Sequence, residues 1–189
     1  MDHRRLLDFW FGERARHRWF TVDRAFDEEL RGNFAPWVEA ALAGELAAWE
    51  TTPDGSLALT LLFDQLPRNL FRASRRAYEG DPAARRIADQ SVTRGFDRRV
   101  PPDRRLFFYL PFQHSEDGLD QRRSVRLVGA LATDLPPALG AAGRDWLDWA
   151  LRHQAMIERF GRFPQRNASL GRRATEAEED YLATTDPGF

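Results

Sequence analysis

The chain has 189 residues, 28 basic and 29 acidic side chains and a formal net charge of −1, and every basic residue in it is arginine. Without lysine the sequence excludes Schiff-base enzymes, pyridoxal-phosphate enzymes that use a lysine, and Walker P-loops; without cysteine it excludes thiolate nucleophiles and thiolate metal sites. Acidic residues interleave with the arginines and leave no basic excess, so we predict no nucleic-acid partner.

The length suits one compact unit, and we predict a single helical domain over residues 1–189. No stretch approaches the length of apolar sequence that a membrane span needs, and the N-terminal segment has no small-residue cleavage site. We therefore expect no membrane association and a cytoplasmic location.

Helix signals begin near the N-terminus, whereas strand signals are scarce because no run alternates apolar and polar residues between turn sequences. The first long helix is predicted to be capped by Thr21 and interrupted at Pro36. The segment 57–63 is apolar on every face, and its leucines and alanine favour a helix at the centre of the fold over a buried strand.

The second half of the chain continues the helical pattern. Further helices are predicted where an acidic residue or a proline precedes a run of apolar residues at helical spacing. They run from Asp81 to Gly95, from Pro101 past Leu110, from Leu119 to Leu131, and from about Asp145 to Phe160. Thr175 and Glu178 form a capping box for a short terminal helix. About eight to ten helices joined by short Pro/Gly loops predict an all-α fold.

Two turns of the chain, 63–72 and 160–172, share the order Phe, Pro, Arg-Asn, Arg. If each proline opens a new helical segment, Arg68 and Arg166 sit where the helix dipole disfavours a cation, so each site calls for an anion. That anion is either a protein carboxylate, such as Asp64, or a ligand carboxylate or phosphate. A purely structural role as helix corners stays open. The predicted ligand-binding residues are Asp64, Gln65, Arg68, Asn69, Arg159, Arg162, Arg166 and Asn167.

Imidazole and carboxylate side chains provide the candidates for catalysis. His114 and Glu116 follow a dense aromatic run, where titratable groups lie at the edge of the core and their pKa values shift. The alternative is that Ser115 or Asp117 caps the next helix and His114 bonds a backbone carbonyl. His153 lies on the apolar stripe of its helix and is either a core residue or part of the site. No HxxxH or HExxH spacing fixes a metal, and none is predicted.

Five sequence blocks occur in a specific order: FWFG at 9–12, WF at 19–20, FDQLPRN at 63–69, FYLPFQHSE at 108–116 and RFGRFPQRN at 159–167. Together they resemble the bacterial family called domain of unknown function 924, from about Leu6 to Leu182. The resemblance implies an all-helical fold similar to tetratricopeptide-repeat superhelices, in cytoplasmic proteins, and brings no established activity with it.

We therefore predict that both Pro-Arg-Asn turns, the His-Ser-Glu segment and the His153 helix converge on one polar pocket that binds a small anionic ligand. One alternative is a hydrolase in which His114 acts as general acid or base, Glu116 orients it and His153 lies in the same site. The other alternative is a scaffold whose groove binds an acidic peptide through the arginines.

Overall fold

The computed structural model describes residues 1–184, and these residues form α-helices, short 3-10 helices and a π-helical turn, with no β-strand. The all-α fold class predicted from the sequence is confirmed. None of the described helices is long and apolar enough to span a membrane. The α-helices are α1 (His3–Trp10), α2 (Glu13–Arg16), α3 (Arg24–Leu42), α4 (Pro53–Thr60), α5 (Leu66–Leu70), α6 (Asp81–Thr93), α7 (Pro102–Gln113), α8 (Gly118–Asp134), α9 (Gly140–Phe160), α10 (Asn167–Leu170) and α11 (Glu176–Thr184).

The helices group into two compact units. Unit 1 contains Met1–Arg72 and Arg76–Pro111, and unit 2 contains Ala73–Arg75 and the described part of Phe112–Phe189. The division falls inside α7, so the end of this helix, from Phe112 onward, belongs to unit 2.

The centre of unit 1 is the apolar segment predicted to be a buried helix. α4 continues into a π-helical turn, Leu61–Gln65, and then into α5, and α4 packs against α1 and α6. Leu57, Leu61 and Leu62 in this segment are fully buried, which agrees with the predicted position. Because a π turn inserts an extra residue, it changes which side chains of the following helix face the neighbouring helices.

The start and continuity of α3 differ from the sequence prediction. The helix begins at Arg24, not at a Thr21 cap, because the Asp23 carboxylate accepts a hydrogen bond from the Phe26 N–H at 3.0 Å. Pro36 does not interrupt the helix. Buried side chains such as Phe34 lie on both sides of the proline, and their packing outweighs the ~3 kcal/mol that an interior proline costs.

Unit 2 is built on α8 and α9, which pack along each other. Asp117 caps α8 through hydrogen bonds from the Leu119 and Asp120 N–H groups. α9 ends at Gly161, whose φ of 70° lies in the left-handed region that glycine adopts without strain. The chain then makes a corner at 163–170, and Met156 and Ile157 of α9 pack with Phe163 of this corner.

The predicted capping box at the start of α11 is confirmed. The Glu178 carboxylate accepts a hydrogen bond from the Thr175 N–H at 2.7 Å, and the Glu178 N–H donates to the Thr175 hydroxyl at 3.3 Å. This reciprocal pair fixes the entry of α11 and places the Glu178 carboxylate beside the corner that precedes it.

Two glycines of unit 1 provide a matched test of this packing. A Cβ added at Gly80 would lie 2.2 Å from the Phe63 carbonyl oxygen, because the turn before α6 closely approaches the π turn. We expect Gly80→Ala to lower the free energy of unfolding by about 1–3 kcal/mol. Gly32 in α3 has open space around it, so Gly32→Ala should raise the same quantity by about 0.5–1 kcal/mol. Urea unfolding of both variants measures the difference, and an unchanged midpoint in Gly80→Ala contradicts the close approach.

Candidate functional site

The first Pro-Arg-Asn turn, in unit 1, holds Arg68 between two carboxylates. α5 follows the π turn directly, and the Arg68 Nη1 atom lies 2.8 Å from Asp81 Oδ1 and 3.2 Å from Asp64 Oδ1. The Nη2 atom donates to Asp81 Oδ2 at 3.0 Å. Burial alone would lower the pKa of Arg68, but the charges of Asp64 and Asp81 outweigh it and raise the pKa. Arg68 is therefore always charged, and its charge is matched by carboxylates of this chain.

The other polar residues of this turn are engaged in the same way. The Asn69 amide donates to Asp27 Oδ1 at 2.8 Å, and Arg72 donates to both oxygens of the same carboxylate at 2.6 and 3.0 Å. The Gln65 amide donates to Asp64. Asp27 and Asp64 are buried, so these donors satisfy carboxylates that water does not reach. The first turn thus ties α5 to α3 and to the start of α6.

The second turn, in unit 2, contains an equally buried carboxylate. Arg162 donates from Nε and Nη2 to the two oxygens of Glu178 at 2.6 and 2.7 Å, and the Asn167 amide lies 3.3 Å from Glu178 Oε2. The Arg162 hydrogen bond, together with the Thr175 N–H, lowers the pKa of Glu178 to about 2. Glu178 therefore belongs both to the capping box of α11 and to the corner.

Glu116 is held at the same corner by a different set of donors. Its oxygens accept from the Phe163 N–H at 2.8 Å and from Arg172 at 2.7 and 3.0 Å. Burial raises the pKa of Glu116, but the Arg172 and Phe163 hydrogen bonds and the charges of Arg172 and Arg166 outweigh it, and the net pKa is lowered. Glu116 is therefore ionised at neutral pH, which makes it unsuited to act as a general acid.

Three of the predicted residues, His153, Arg166 and Glu116, contact Phe163, and His114 lies beside His153; we call these five residues the Phe163 cluster. The His153 ring lies 5.5 Å from the Phe163 ring and 6.0 Å from the His114 ring, measured between centroids. The Arg166 guanidinium stacks over Phe163 at 4.4 Å, and Glu116 accepts the Phe163 N–H. His153, Phe163 and Arg166 are buried, whereas His114 and Glu116 are half-buried.

The hydrogen bonds of His153 fix where one of its protons lies. Its Nδ1 atom is 2.8 Å from the Trp149 carbonyl oxygen, which only accepts, so Nδ1 carries a proton and donates it. The Gln113 amide lies 3.3 Å from the same Nδ1 atom. His153 is thus a buried imidazole whose orientation is set by its own helix.

The predicted site residues divide between the two units. Within unit 2 the corner joins Arg162 and Asn167 to the same ionic network, while Arg159 is exposed and lies over the Phe160 and Tyr181 rings. Unit 1 contains Asp64, Gln65, Arg68 and Asn69, and unit 2 contains His114, Glu116, His153, Arg159, Arg162, Arg166 and Asn167.

The sequence reasoning missed the two arginines that close the turns. Arg72 and Arg172 each bind a carboxylate through two hydrogen bonds, Asp27 and Glu116 respectively. The signal was present, because both arginines occupy the last position of the order that the two turns share. Within residues 1–184, no group of three or more His, Asp or Glu side chains is arranged to hold a metal ion.

The fold and the site define an all-helical protein whose proline turns carry buried arginine–carboxylate networks. The chain belongs to the family of bacterial proteins of unknown function DUF924, whose model matches residues 6–186. It is similar to a solved structure described as a protein of unknown function, ATU0120, from Agrobacterium tumefaciens, with 39% identity, 97% of each chain covered and a TM-score of 0.85. No curated protein matches the chain.

The low pKa of Glu178 predicts how the stability of this corner depends on pH. A carboxylate whose pKa is lowered on folding stabilises the folded state above its ordinary value of 4.5, and this contribution is lost as the pH falls towards about 2. We expect Glu178→Gln to lower the urea midpoint at pH 7, and the difference from the unmodified protein to shrink steadily below pH 4.5.

The control for this prediction is Glu179→Gln, because Glu179 is the exposed neighbour on the same helix turn. Its urea midpoint should stay close to that of the unmodified protein at every pH. A Glu178→Gln difference that does not change between pH 7 and pH 3 contradicts the assigned ion pair.

Proposed function

We propose that this protein binds a small anionic ligand at the Phe163 cluster of unit 2. The observation that carries the proposal is that His153 and Arg166 both contact the Phe163 ring and His114 lies beside His153, although these side chains come from three separate parts of the chain. Imidazole N–H and guanidinium groups are the donors that proteins use to bind carboxylates and phosphates.

The charges around Glu116 support unit 2 as the place for an anion. Arg172 and Arg166 both place positive charge beside Glu116 and contribute to its lowered pKa. The Arg166 guanidinium also stacks on Phe163 within the cluster, so an anion bound there lies beside a positive charge.

Burial supports a direction of approach. His114 and Glu116 are half-buried and His153 and Arg166 are buried, so the edge of the cluster nearest solvent carries His114. A ligand that passes His114 meets donors in a region with little competing water, where their electrostatic attraction is stronger than at the surface.

The hydrolase is the second candidate, and the observation that favours it is the 6.0 Å separation of two imidazole rings. In this reading His114 transfers the proton, His153 is the buried neighbour, and Glu116 contributes its negative charge. His114→Ala should then abolish hydrolysis of p-nitrophenyl acyl or phosphoryl esters while the urea midpoint is retained. If the midpoint falls and the unmodified protein hydrolyses none of these esters, the hydrolase proposal fails.

Four expectations from the sequence stay predictions. They are the convergence of both Pro-Arg-Asn turns on one pocket, a single domain with a superhelix similar to tetratricopeptide repeats, a cytoplasmic location, and the scaffold that binds an acidic peptide. The scaffold requires the arginines to meet acidic side chains of a partner, whereas Arg68, Arg162 and Arg172 already bind internal carboxylates.

Binding of inorganic phosphate and of succinate tests the anion proposal. We expect isothermal titration of the full chain to give saturable binding of at least one of these anions, and Arg166→Gln to weaken it by about tenfold or more, as expected for a lost charge-assisted hydrogen bond. The melting temperature should rise with ligand concentration, because a ligand present at a hundred times its Kd adds about 2.7 kcal/mol to the free energy of unfolding.

Matched variants separate this site from general salt effects, since phosphate stabilises most proteins by exclusion from their surface. Arg144→Gln removes an exposed arginine at the start of α9 and should leave the affinity unchanged. Arg166→Lys keeps the positive charge and should retain part of the affinity. Comparing it with Arg166→Gln shows whether the weaker binding comes from the lost charge or from a loss of folded protein. Saturable binding of neither anion, or equal affinities in the Arg166→Gln and unmodified proteins, refutes the proposal.

A further inference from the structure

Three buried side chains of unit 2 each have an oxygen without a hydrogen-bond partner among the described residues. They are the amide oxygens of Gln113 and Gln121 and the hydroxyl oxygen of Ser124. Gln121 and Ser124 are completely inaccessible, and Gln113 is 4% exposed. Because nearly all buried polar groups in folded proteins have a partner, each of these oxygens calls for a group that the described residues do not supply, either water or a ligand.

The orientation of the Gln121 amide is fixed by the hydrogen bonds of its nitrogen. Its Nε2 atom donates to the backbone carbonyl oxygens of Gln113 at 2.7 Å and Ser115 at 2.6 Å. Rotating the amide would place its oxygen against these two carbonyl oxygens, which do not donate. The unpartnered end of Gln121 is therefore an acceptor, and the group that binds it must be a donor.

The Gln113 amide connects these oxygens to the Phe163 cluster. Its Nε2 atom lies 3.3 Å from His153 Nδ1, and Nδ1 donates to the Trp149 carbonyl oxygen. Whichever way the Gln113 amide is turned, one of its two ends remains without a partner. Gln113 thus has one end at the imidazole of the cluster and the other directed at a group that the described residues do not supply.

Ser124 lies one helical turn beyond Gln121, on the same side of α8. The three side chains follow one path, from Ser124 to Gln121 along α8, from Gln121 to the backbone of Gln113, and from the Gln113 side chain to His153. Polar groups that need a partner therefore extend from Gln113, beside the proposed anion site, to α8.

We propose that the ligand of the Phe163 cluster carries hydroxyl groups beside its anionic group, as hydroxy acids and polyol phosphates do, and that these hydroxyls bind Gln113, Gln121 and Ser124. This inference rests on the proposed function. A hydroxyl donates to the Gln121 oxygen and also accepts from the Ser124 hydroxyl, so it matches both. An ammonium group, in contrast, has no acceptor for the Ser124 hydroxyl proton.

Two matched pairs of probes test the proposal on the full chain: L-malate with succinate, and glycerol 3-phosphate with n-propyl phosphate. Within each pair only the hydroxyl groups differ. We expect titration calorimetry to show at least about tenfold tighter binding of the hydroxylated member in one pair, since a site built to bond a hydroxyl rejects the analogue that lacks it. Ser124→Ala should remove most of this preference and leave the affinity for the other member unchanged.

Ser115→Ala is the matched control, because the Ser115 hydroxyl accepts the Asp117 N–H in the nearby loop and is outside the proposed site. It should keep the preference for the hydroxylated probe. Without ligand, Ser124→Ala should keep or raise the melting temperature, since it removes a buried oxygen that bonds nothing in the chain. A lower melting temperature would mean that Ser124 has an internal partner, which overturns its role.

The remaining outcomes distinguish the two proposals. If both members of each pair bind equally, or if Ser124→Ala keeps the preference, the hydroxyl inference is overturned, the oxygens are assigned to ordered water, and the anion proposal stands. If succinate, n-propyl phosphate and inorganic phosphate all fail to bind, and the hydroxylated probes fail as well, both proposals are overturned.

Discussion

The structure depends on the pairing of guanidinium groups with carboxylates that water hardly reaches. Asp27, Asp64 and Glu178 are buried, and a carboxylate in such a place is tolerated only when donors surround it. Arginine supplies these donors in a planar fork that binds both carboxylate oxygens at once, which a lysine ammonium does not do. The turns at Pro67 and Pro164 are held to neighbouring helices by such pairs, Arg72 with Asp27 and Arg162 with Glu178, rather than by apolar contacts alone.

Local signals were sufficient to predict most of the helices. The capping box of Thr175 and Glu178 and the buried segment 57–63 involve residues close in the chain, so their spacing determines their structure. Pro36 was predicted wrongly because packing on both sides of it outweighs a local preference.

The candidate site was predicted only in part, for a related reason. The residue types were apparent from the turns and from the His-Ser-Glu segment. Their partners were not, because Asn69 meets Asp27 across 42 positions and Arg172 meets Glu116 across 56, and no local pattern encodes such pairings. The partners of Gln121 are likewise set by the way α8 packs on the end of α7.

Glu178 has two structural roles at once, and this couples parts of unit 2 that would otherwise open separately. Fraying of the first turn of α11 breaks its capping box and at the same time breaks the ion pair between Arg162 and Glu178. The amides of this turn and those of the preceding corner should therefore exchange with deuterium as one cooperative opening unit, more slowly than a short helix would on its own.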